Sequence, residues 1–366
     1  MIDLFTTYIH SSAKDYVNEV LESTFVSEGE WNKKFEKRLS ELIQNPYVFT
    51  VNSGTSALHL ALQLAGVSEG DEVIIPSQTF IATGLAVLYC RAIPVFADIN
   101  LEDGNILPSS VKRLISDKTK CIIPVHWGGY PCEMDEINRI AEENNLLVIE
   151  DAAHAFLAEY NNKRIGTISD FTCFSFQAIK HLTCGDGGAI SVKNKIYYNL
   201  GKKLRWFGID KEKDLPNFLG EREYTLDVIG YKYHMNNISA AVGLANTIDI
   251  EERINKRRYY ADIYFQELSK IDGIRLLNYR KNRKSSYWLF PLLIEKRNDF
   301  IKMMRSHDIN VSVVHQGIHK NKIFDTCKKD LDQQLLFDEM QVHIPLHERL
   351  KEEDIFYIIE TIKKGW

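Results

Sequence analysis

FTCFSFQAIKHLTCGDGGAI, residues 171 to 190, is the stretch around which the chain is organised. Its β-branched and aromatic run, closing at Ser175 and Phe176, predicts a strand. A polar, glycine-punctuated turn then carries Lys180, and Ala189, Ile190, Ser191 and Val192 predict a second strand. Glycines at 185, 187 and 188 let the backbone fold tightly, and Ser175 and Thr183 add hydroxyls to the same turn. A lysine in a turn is ordinarily a solvated charge. One boxed in like this is a candidate Schiff-base amine, because burial lowers its pKa and frees the neutral nucleophile.

Three further stretches weigh between those readings. LLVIEDAAHA, residues 146 to 155, is the apolar run of a doubly buried strand, yet it ends in Glu150 and Asp151. Carboxyl ends of strands in an open α/β sheet face the ligand crevice, so Asp151 is expected to meet a ligand, with His154 close behind; a helix N-cap is the alternative. In VNSGTSALHLALQLAG, residues 51 to 66, a strand ends at Asn52 and an apolar helical stripe begins at Ala57. Gly54 and Thr55 therefore fall in a turn whose free amides suit a phosphate. IIPSQTFIAT, residues 74 to 83, puts Phe80 after a strand end, where it either stacks on a flat ring or joins the core. A lysine, a carboxylate that keeps a pyridine nitrogen protonated, a phosphate cradle and an aromatic face are together what a pyridoxal phosphate site needs.

Outward from these stretches, strands and helices alternate between Tyr47 and Val192, with YVFTVN, DEVIIPS, IPVFADI, KCIIPVHW, LLVIED, FTCFSF and AISV as the strands. The alternation predicts an α/β fold with a mostly parallel central sheet and helices on both faces. Ahead of it, residues 13 to 45 predict two short helices interrupted at Glu28, Gly29 and Glu30. Behind it, a helix through Leu204 leads into a mobile, charged loop, and residues 236 to 270 predict one long helix bridging to a smaller part. That part is expected to be α+β, with strands near IRLL, SSYWLFPLLIE and INVSVVHQ and helices at 297 to 306 and 350 to 364. The expected division is 1–245 for the large domain and 246–366 for the bridging helix and small C-terminal domain. His126 and Trp127, in VHWGGYPCEMD after a strand, are candidates to border cofactor or substrate, and Arg205 is a candidate partner for a phosphate or a neighbour's carboxylate.

The four stretches, SFQAIKHLTCGDGG above all, resemble the nucleotide-sugar aminotransferases of the DegT type, which belong to the fold-type I pyridoxal phosphate enzymes. The resemblance runs over nearly the whole chain. It implies that Lys180 carries the coenzyme as a Schiff base, that Asp151 partners the pyridine nitrogen, and that Ser175, Gly54 and Thr55 hold the phosphate. It further implies that Phe80 stacks on the ring, that His154 lies near it, and that His315, in VSVVHQGIH, sits on a substrate-facing loop. One segment departs from the pattern: in IGYKYHMNNISAAVG, residues 229 to 243, Lys232 and His234 stand where many members read Gly-Tyr-Asn-Tyr-Arg-Met. The family's asparagine reaches the neighbouring subunit's cofactor phosphate, so Lys232 is expected to bring a charge to the same dianion within a homodimer.

The activity so implied moves an amino group from an amino acid, expected to be glutamate, to a nucleotide-diphosphate keto sugar, building an amino sugar for a surface glycan. Pyridoxal phosphate and its pyridoxamine form would carry the group. Related dehydratases have histidine at the lysine position, whereas this chain has Lys180 with His181 beside it. A regulator that binds the coenzyme without turnover is the other alternative.

Composition agrees with a soluble enzyme. The 366 residues suffice for two cores, 45% of them apolar and 26% charged. A net charge of −5 argues against nucleic acid as the main partner. No stretch reaches the roughly 18 apolar residues of a membrane span, and MIDLFTTYIHSSAKDY lacks a basic-then-apolar leader, so the protein is expected in the cytoplasm. The six cysteines lack metal-site or disulfide spacing, and Cys184, four residues after Lys180, is expected to be inert.

Overall fold

The computed structural model describes residues 1–211, 216–222, 224 and 226–366. Two helices, α1 (Ala13–Glu22) and α2 (Glu30–Ile43), open the chain on either side of the Glu28-Gly29 break, as expected. Strands and helices then alternate as β1 (Val48–Val51), α3 (Gly54–Leu64), β2 (Glu72–Pro76), α4 (Ile81–Tyr89), β3 (Ile93–Ala97), α5 (Pro108–Leu114), β4 (Thr119–Ile122), α6 (Met134–Glu143) and β5 (Leu147–Asp151). A hairpin of β6 (Glu159–Tyr160) and β7 (Lys163–Arg164) precedes β8 (Phe171–Ser175), β9 (Gly188–Val192) and α7 (Lys195–Leu204). Asn161 and Asn162 both take positive φ at the hairpin tip, the backbone that a two-residue turn of right-handed twist requires.

The seven expected strands form one seven-stranded sheet in the order β1-β9-β8-β5-β4-β2-β3. Pairings from β8 through β5, β4 and β2 to β3 are parallel, and β9 runs antiparallel to both of its neighbours. Successive residues of a strand point to opposite faces, and both faces here are buried. Ile74, Ile122 and Val148 enter one core with α2, α5 and α6, while Val73, Ile75, Cys121, Ile123 and Ile149 enter the other with α3 and α4. Covering both faces is why these strands read as unbroken apolar runs.

The topology places the site. With β9 reversed, the carboxyl ends of β1, β2, β4, β5 and β8 share one edge of the sheet with the amino end of β9. The turn from β8 to β9, which carries Lys180, closes over that edge.

After α7 the expected single helix is two, α8 (Asn237–Ala245) and α9 (Ile250–Leu268). The break follows from Asn246, whose side-chain amide donates to the Thr183 carbonyl at 2.7 Å and accepts from the His10 amide at 2.7 Å. Both partners are remote in sequence. The four residues 212–215, within the stretch expected to be a charged loop, lie outside the described residues. The C-terminal part holds β10 (Ile274–Leu276), β11 (Arg283–Lys284), β12 (Phe290–Ile294), α10 (Arg297–Ser306), α11 (Asp332–Met340), β13 (Gln341–Ile344) and α12 (Glu352–Lys363). Its sheet runs β10-β12-β13. INVSVVHQ is not a strand: it contributes the bridge between Ser312 and His343 and then turns at Val314, φ +59°. Tyr260, Tyr264, Phe290, Phe300 and Ile355 build a core of their own, and Trp127, Trp288, Leu289 and Phe337 pack a smaller cluster against Ile99, after β3. Among the described residues no helix is long and apolar enough to cross a membrane.

Candidate active site

A cavity of about 310 Å³ opens at the shared strand edge, and Lys180, Asp151, His154, Ser175, Gly54, Thr55, Phe80 and His315 all line it. Eight residues spread from position 54 to position 315 are thus brought to one place by topology alone.

Lys180 is half-buried in the cavity wall, and among the described residues no carboxylate forms an ion pair with it. Its ammonium lies 3.5 Å from the ring centroid of Trp288, over the face of the indole. Burial brings its pKa down to about 7, against a smaller upward pull from the Asp151 carboxylate. The amine is therefore poised between its charged and nucleophilic forms near neutral pH.

Asp151 ends β5, buried, and burial pulls its carboxyl above the ordinary range. Opposing this, the Thr83 hydroxyl donates to Oδ2 at 2.8 Å and the Ala153 amide to Oδ1 at 3.1 Å. Thr79, just ahead of α4, and Thr83, in its first turn, have hydroxyls 2.7 Å apart, so Thr79 donates to Thr83 and Thr83 to Asp151. A group this buried with its oxygens already oriented is built to meet a cation.

His154 stacks on Trp288 with ring centroids 3.9 Å apart and planes 19° from parallel. Burial and the neighbouring Lys180 hold it neutral, well below the ordinary histidine range, and its buried Nδ1 has no hydrogen-bond partner. At the opposite wall Ser53 caps α3 by accepting from the Ser56 amide at 3.0 Å, which leaves the first amides of the helix, at Gly54 and Thr55, without intrahelical acceptors. A Cβ added at Gly54 would come within 2.8 Å of Ser175 Cβ, so glycine is what lets the helix end and the end of β8 approach. Phe80 is half exposed at the mouth, its ring 5.3 Å from that of His315.

Three expected site residues lie elsewhere. His126 is fully buried behind the sheet edge: its Nδ1 accepts from the Cys132 amide at 3.0 Å, so Nε2 carries the proton and donates to Glu150 at 2.8 Å. With both nitrogens engaged it cannot bind substrate, and its backbone amide instead holds the Asp151 carbonyl at 3.1 Å. Arg205 is also buried, its guanidinium spent on Glu28 and Glu36, each at 2.5 Å, and on the Thr50 carbonyl at 2.7 Å. It pairs with carboxylates of its own chain and reaches no part of the cavity. Lys232 is exposed and lines no part of this chain's own cavity; its backbone bridges Trp206 and accepts from the Asn52 amide group at 3.3 Å.

Trp288, Thr79, Thr83 and Gln177 also line the cavity and had no expected role. Trp288 is 108 positions beyond Lys180, too far for any local pattern to pair them, whereas the two threonines sit inside IIPSQTFIAT at the spacing of one helical face. Cys184 is buried with its thiol pushed up by burial, the condition of an inert cysteine. His181 Nε2 donates to the Ser286 carbonyl, 2.9 Å away, and so turns from the cavity that Lys180 enters.

The comparisons with known proteins point the same way. Residues 7–363 match the model of the DegT/DnrJ/EryC1/StrS aminotransferase family. A GDP-perosamine synthase of Escherichia coli O157:H7 is 34% identical over 369 residues, covering 99% of this chain and 98% of its own. The sugar aminotransferase CalS13 from Micromonospora echinospora superposes with a TM-score of 0.96 at 29% identity, with both chains covered fully. Spr1654 from Streptococcus pneumoniae, in its PLP form, superposes at 0.91 with 27% identity, covering 99% of this chain and 98% of that one. A half-buried lysine facing an oriented aspartate, over a helix amino terminus, in a chain matched over residues 7–363, places this protein in the DegT/DnrJ/EryC1/StrS aminotransferase family of sugar aminotransferases.

Proposed function

We propose that this protein transfers an amino group from glutamate to the keto carbon of a nucleotide-diphosphate sugar, with pyridoxal phosphate on Lys180. The observation that carries this reading is Lys180 itself: an amine that desolvation brings to about 7 and that, among the described residues, has no carboxylate paired to it. An idle lysine does not stay in that state, because the cost of its desolvation finds no return in the fold.

The residues present fit the coenzyme. Gly54 lets the amino end of α3 close on Ser175, so that the α3 amides and the Ser175 hydroxyl face the cavity together for the phosphate. Asp151 would hold the ring nitrogen protonated, and Phe80 and His154 border the space for the ring. When bound, pyridoxal phosphate supplies the electron sink for the pair left behind as a proton leaves the substrate carbon. Lys180 would hold the coenzyme, and its free amine would take up and return that proton as base and acid, a task suited to a group titrating near the working pH. Thr83 and the Ala153 amide keep the Asp151 oxygens aimed through both halves of the cycle.

Lys232 is read as reaching the cofactor phosphate of a second copy in a homodimer. Support comes from its exposure outside its own cavity and from Phe207, Phe218, Leu219, Leu226 and Ile229, large apolar side chains exposed in the same part of the chain, which a second copy would cover. The names of relatives make a GDP-linked sugar the first candidate acceptor. The amino sugar formed would serve a surface glycan, and the reaction would run in the cytoplasm.

The test is direct. Coenzyme-loaded protein is mixed with glutamate, then with a panel of GDP-, UDP- and dTDP-linked keto sugars. Glutamate is expected to discharge the visible band of the bound coenzyme with release of 2-oxoglutarate, and one keto sugar is expected to restore it. Protein that binds the coenzyme but releases no 2-oxoglutarate is a binder only, and the reading fails.

A further inference from the structure

Behind His315 lies a set of side chains that the reaction as proposed does not use. Gln78, Gln334 and Gln341 are wholly buried, and Asp338 is 4% exposed. They come from the turn after β2, from α11 and from the start of β13. Gln78 Oε1 accepts from Gln334 Nε2 at 2.8 Å and from Gln341 Nε2 at 3.3 Å, and Gln78 Nε2 donates to Gln341 Oε1 at 3.1 Å. Asp338 Oδ1 accepts from Gln334 and Gln341, each at 3.1 Å, while its Oδ2 meets Lys320 at 2.8 Å.

Three buried amides and a carboxylate are a costly way to fill space that leucine or methionine would fill without polar atoms. The network converges on one backbone segment. Gln78 Nε2 and Gln341 Nε2 both donate to the His315 carbonyl, at 3.2 and 3.1 Å, and the Gly317 amide donates to Asp338 Oδ1 at 3.0 Å. Just before this segment the chain is bent hard: the His315 amide donates to the Val313 carbonyl at 2.7 Å, and Val314 sits at φ +59°, a region that a β-branched residue occupies only when its surroundings impose it. The result of the bend is that the His315 imidazole enters the cavity mouth, 5.3 Å from Phe80 and stacked at 6.1 Å on His154.

We propose that Gln78, Gln334, Gln341 and Asp338 form a clamp that holds the strained 313–317 turn and thereby positions His315 for the keto sugar. These four are positioning residues: they touch neither coenzyme nor substrate and act through one backbone carbonyl and one backbone amide. The inference rests on the reading that the cavity aminates a nucleotide-linked keto sugar. It adds that acceptance of the sugar, as opposed to the amino donor, is governed from outside the cavity.

The experiment uses coenzyme-loaded protein and the variants Gln341→Leu, Gln78→Met, His315→Ala and the double variant Gln341→Leu/His315→Ala. For Gln341→Leu the KM for the keto sugar is expected to rise at least tenfold, while the glutamate half-reaction stays within twofold of the parent. In the double variant the KM is expected to match that of His315→Ala within twofold, since a clamp acting through His315 has nothing left to hold. Multiplying effects, or equal damage to both half-reactions, overturn the proposal, because a general weakening of the fold would produce them. Gln78→Met, close to glutamine in size, carries the same test where Gln341→Leu does not accumulate as folded protein. A second readout needs no turnover: burial holds the His315 ring at about 4, and NMR titration of the clamp variants is expected to find it moved upward toward the ordinary histidine value. An unmoved ring overturns the clamp. A parent protein that aminates no sugar refutes the functional reading alone, and the titration then decides the clamp by itself.

Discussion

Two sets of buried charges in this molecule are handled in opposite ways. Around Arg205 and Arg257 every charge is answered: Arg205 has Glu28, Glu36 and a carbonyl, and Arg257 has Glu348 at 2.7 Å with the Tyr287 and Leu346 carbonyls at 3.1 and 2.8 Å. At the strand edge Lys180 lies on the face of Trp288 with no carboxylate paired to it among the described residues, where His154 likewise keeps a nitrogen with no partner. Paired buried charges hold elements together and leave nothing over for a ligand. Unanswered ones cost stability in the empty protein, and they are retained where a ligand completes them.

Lys180→Met is the sharpest way to break this comparison. Turnover is expected to fall at least about 10⁴-fold, to the limit of detection in a coupled assay for 2-oxoglutarate, because covalent attachment and proton transfer are lost together. The coenzyme-free variant should at the same time be more stable than its parent by about 4 kcal/mol at pH 7, read from urea midpoints. The sign follows from the lysine value of about 7 in the folded chain against 10.5 when free. Between those values the unfolded chain binds the extra proton, so the parent gains stability as pH rises from 7 to 10.5 and the gap to the variant closes. A variant no more stable than the parent would mean that Lys180 is not held at a cost.

Arg205→Met should move stability the other way, losing about 3 kcal/mol, because the half-buried Glu36 would lose its cation and Glu28 would be left with Lys211 alone. Turnover per folded molecule and KM for the sugar are expected within about threefold of the parent. A large rise in KM with unchanged stability would restore Arg205 to substrate binding and erase the distinction between the two regions.

How much of this was legible beforehand follows from the range over which each residue finds its partners. The strands were readable because a doubly covered sheet imposes unbroken apolar runs, and Lys180, Asp151, Gly54 and Phe80 because each stands where a strand ends. His126 and Arg205 were misjudged for one reason. Their residue types and strand-end setting suit a ligand, but what engages them lies far off in sequence: Glu150 is 24 residues from His126 and Glu36 is 169 from Arg205. The break between α8 and α9 was hidden likewise, since Asn246 ends the helix through bonds to Thr183 and His10. INVSVVHQ has the composition of a strand, and only the clamp on His315 with the bend at Val314 keeps it from being one.

Thr83→Val probes the favourable side of the strand edge. The substitution keeps the shape and removes the hydroxyl that donates to Asp151 at 2.8 Å. Turnover is expected to fall about tenfold, the factor that about 1.4 kcal/mol from a hydrogen bond to a charged acceptor represents. The loss should appear in both half-reactions, because Asp151 serves each. Undiminished turnover would show that the Ala153 amide alone suffices to orient the carboxylate.

The smallest effect belongs to a charge pair that belongs to neither set. Arg139 and Glu143 meet at 2.5 Å across one turn of α6, both about half exposed. Water already solvates each partner, holding two long side chains together costs rotamer freedom, and the pair runs in the weaker sense, with the carboxylate toward the negative end of the helix. Arg139→Ala should therefore change stability by no more than about 0.5 kcal/mol, and molar salt should abolish even that. If the loss instead approached that of Arg205→Met, burial would not be what separates structural charges from idle ones. The difference between the two buried regions would then need another cause than the return of a desolvation cost, and it is this weak exposed pair that makes such a result observable.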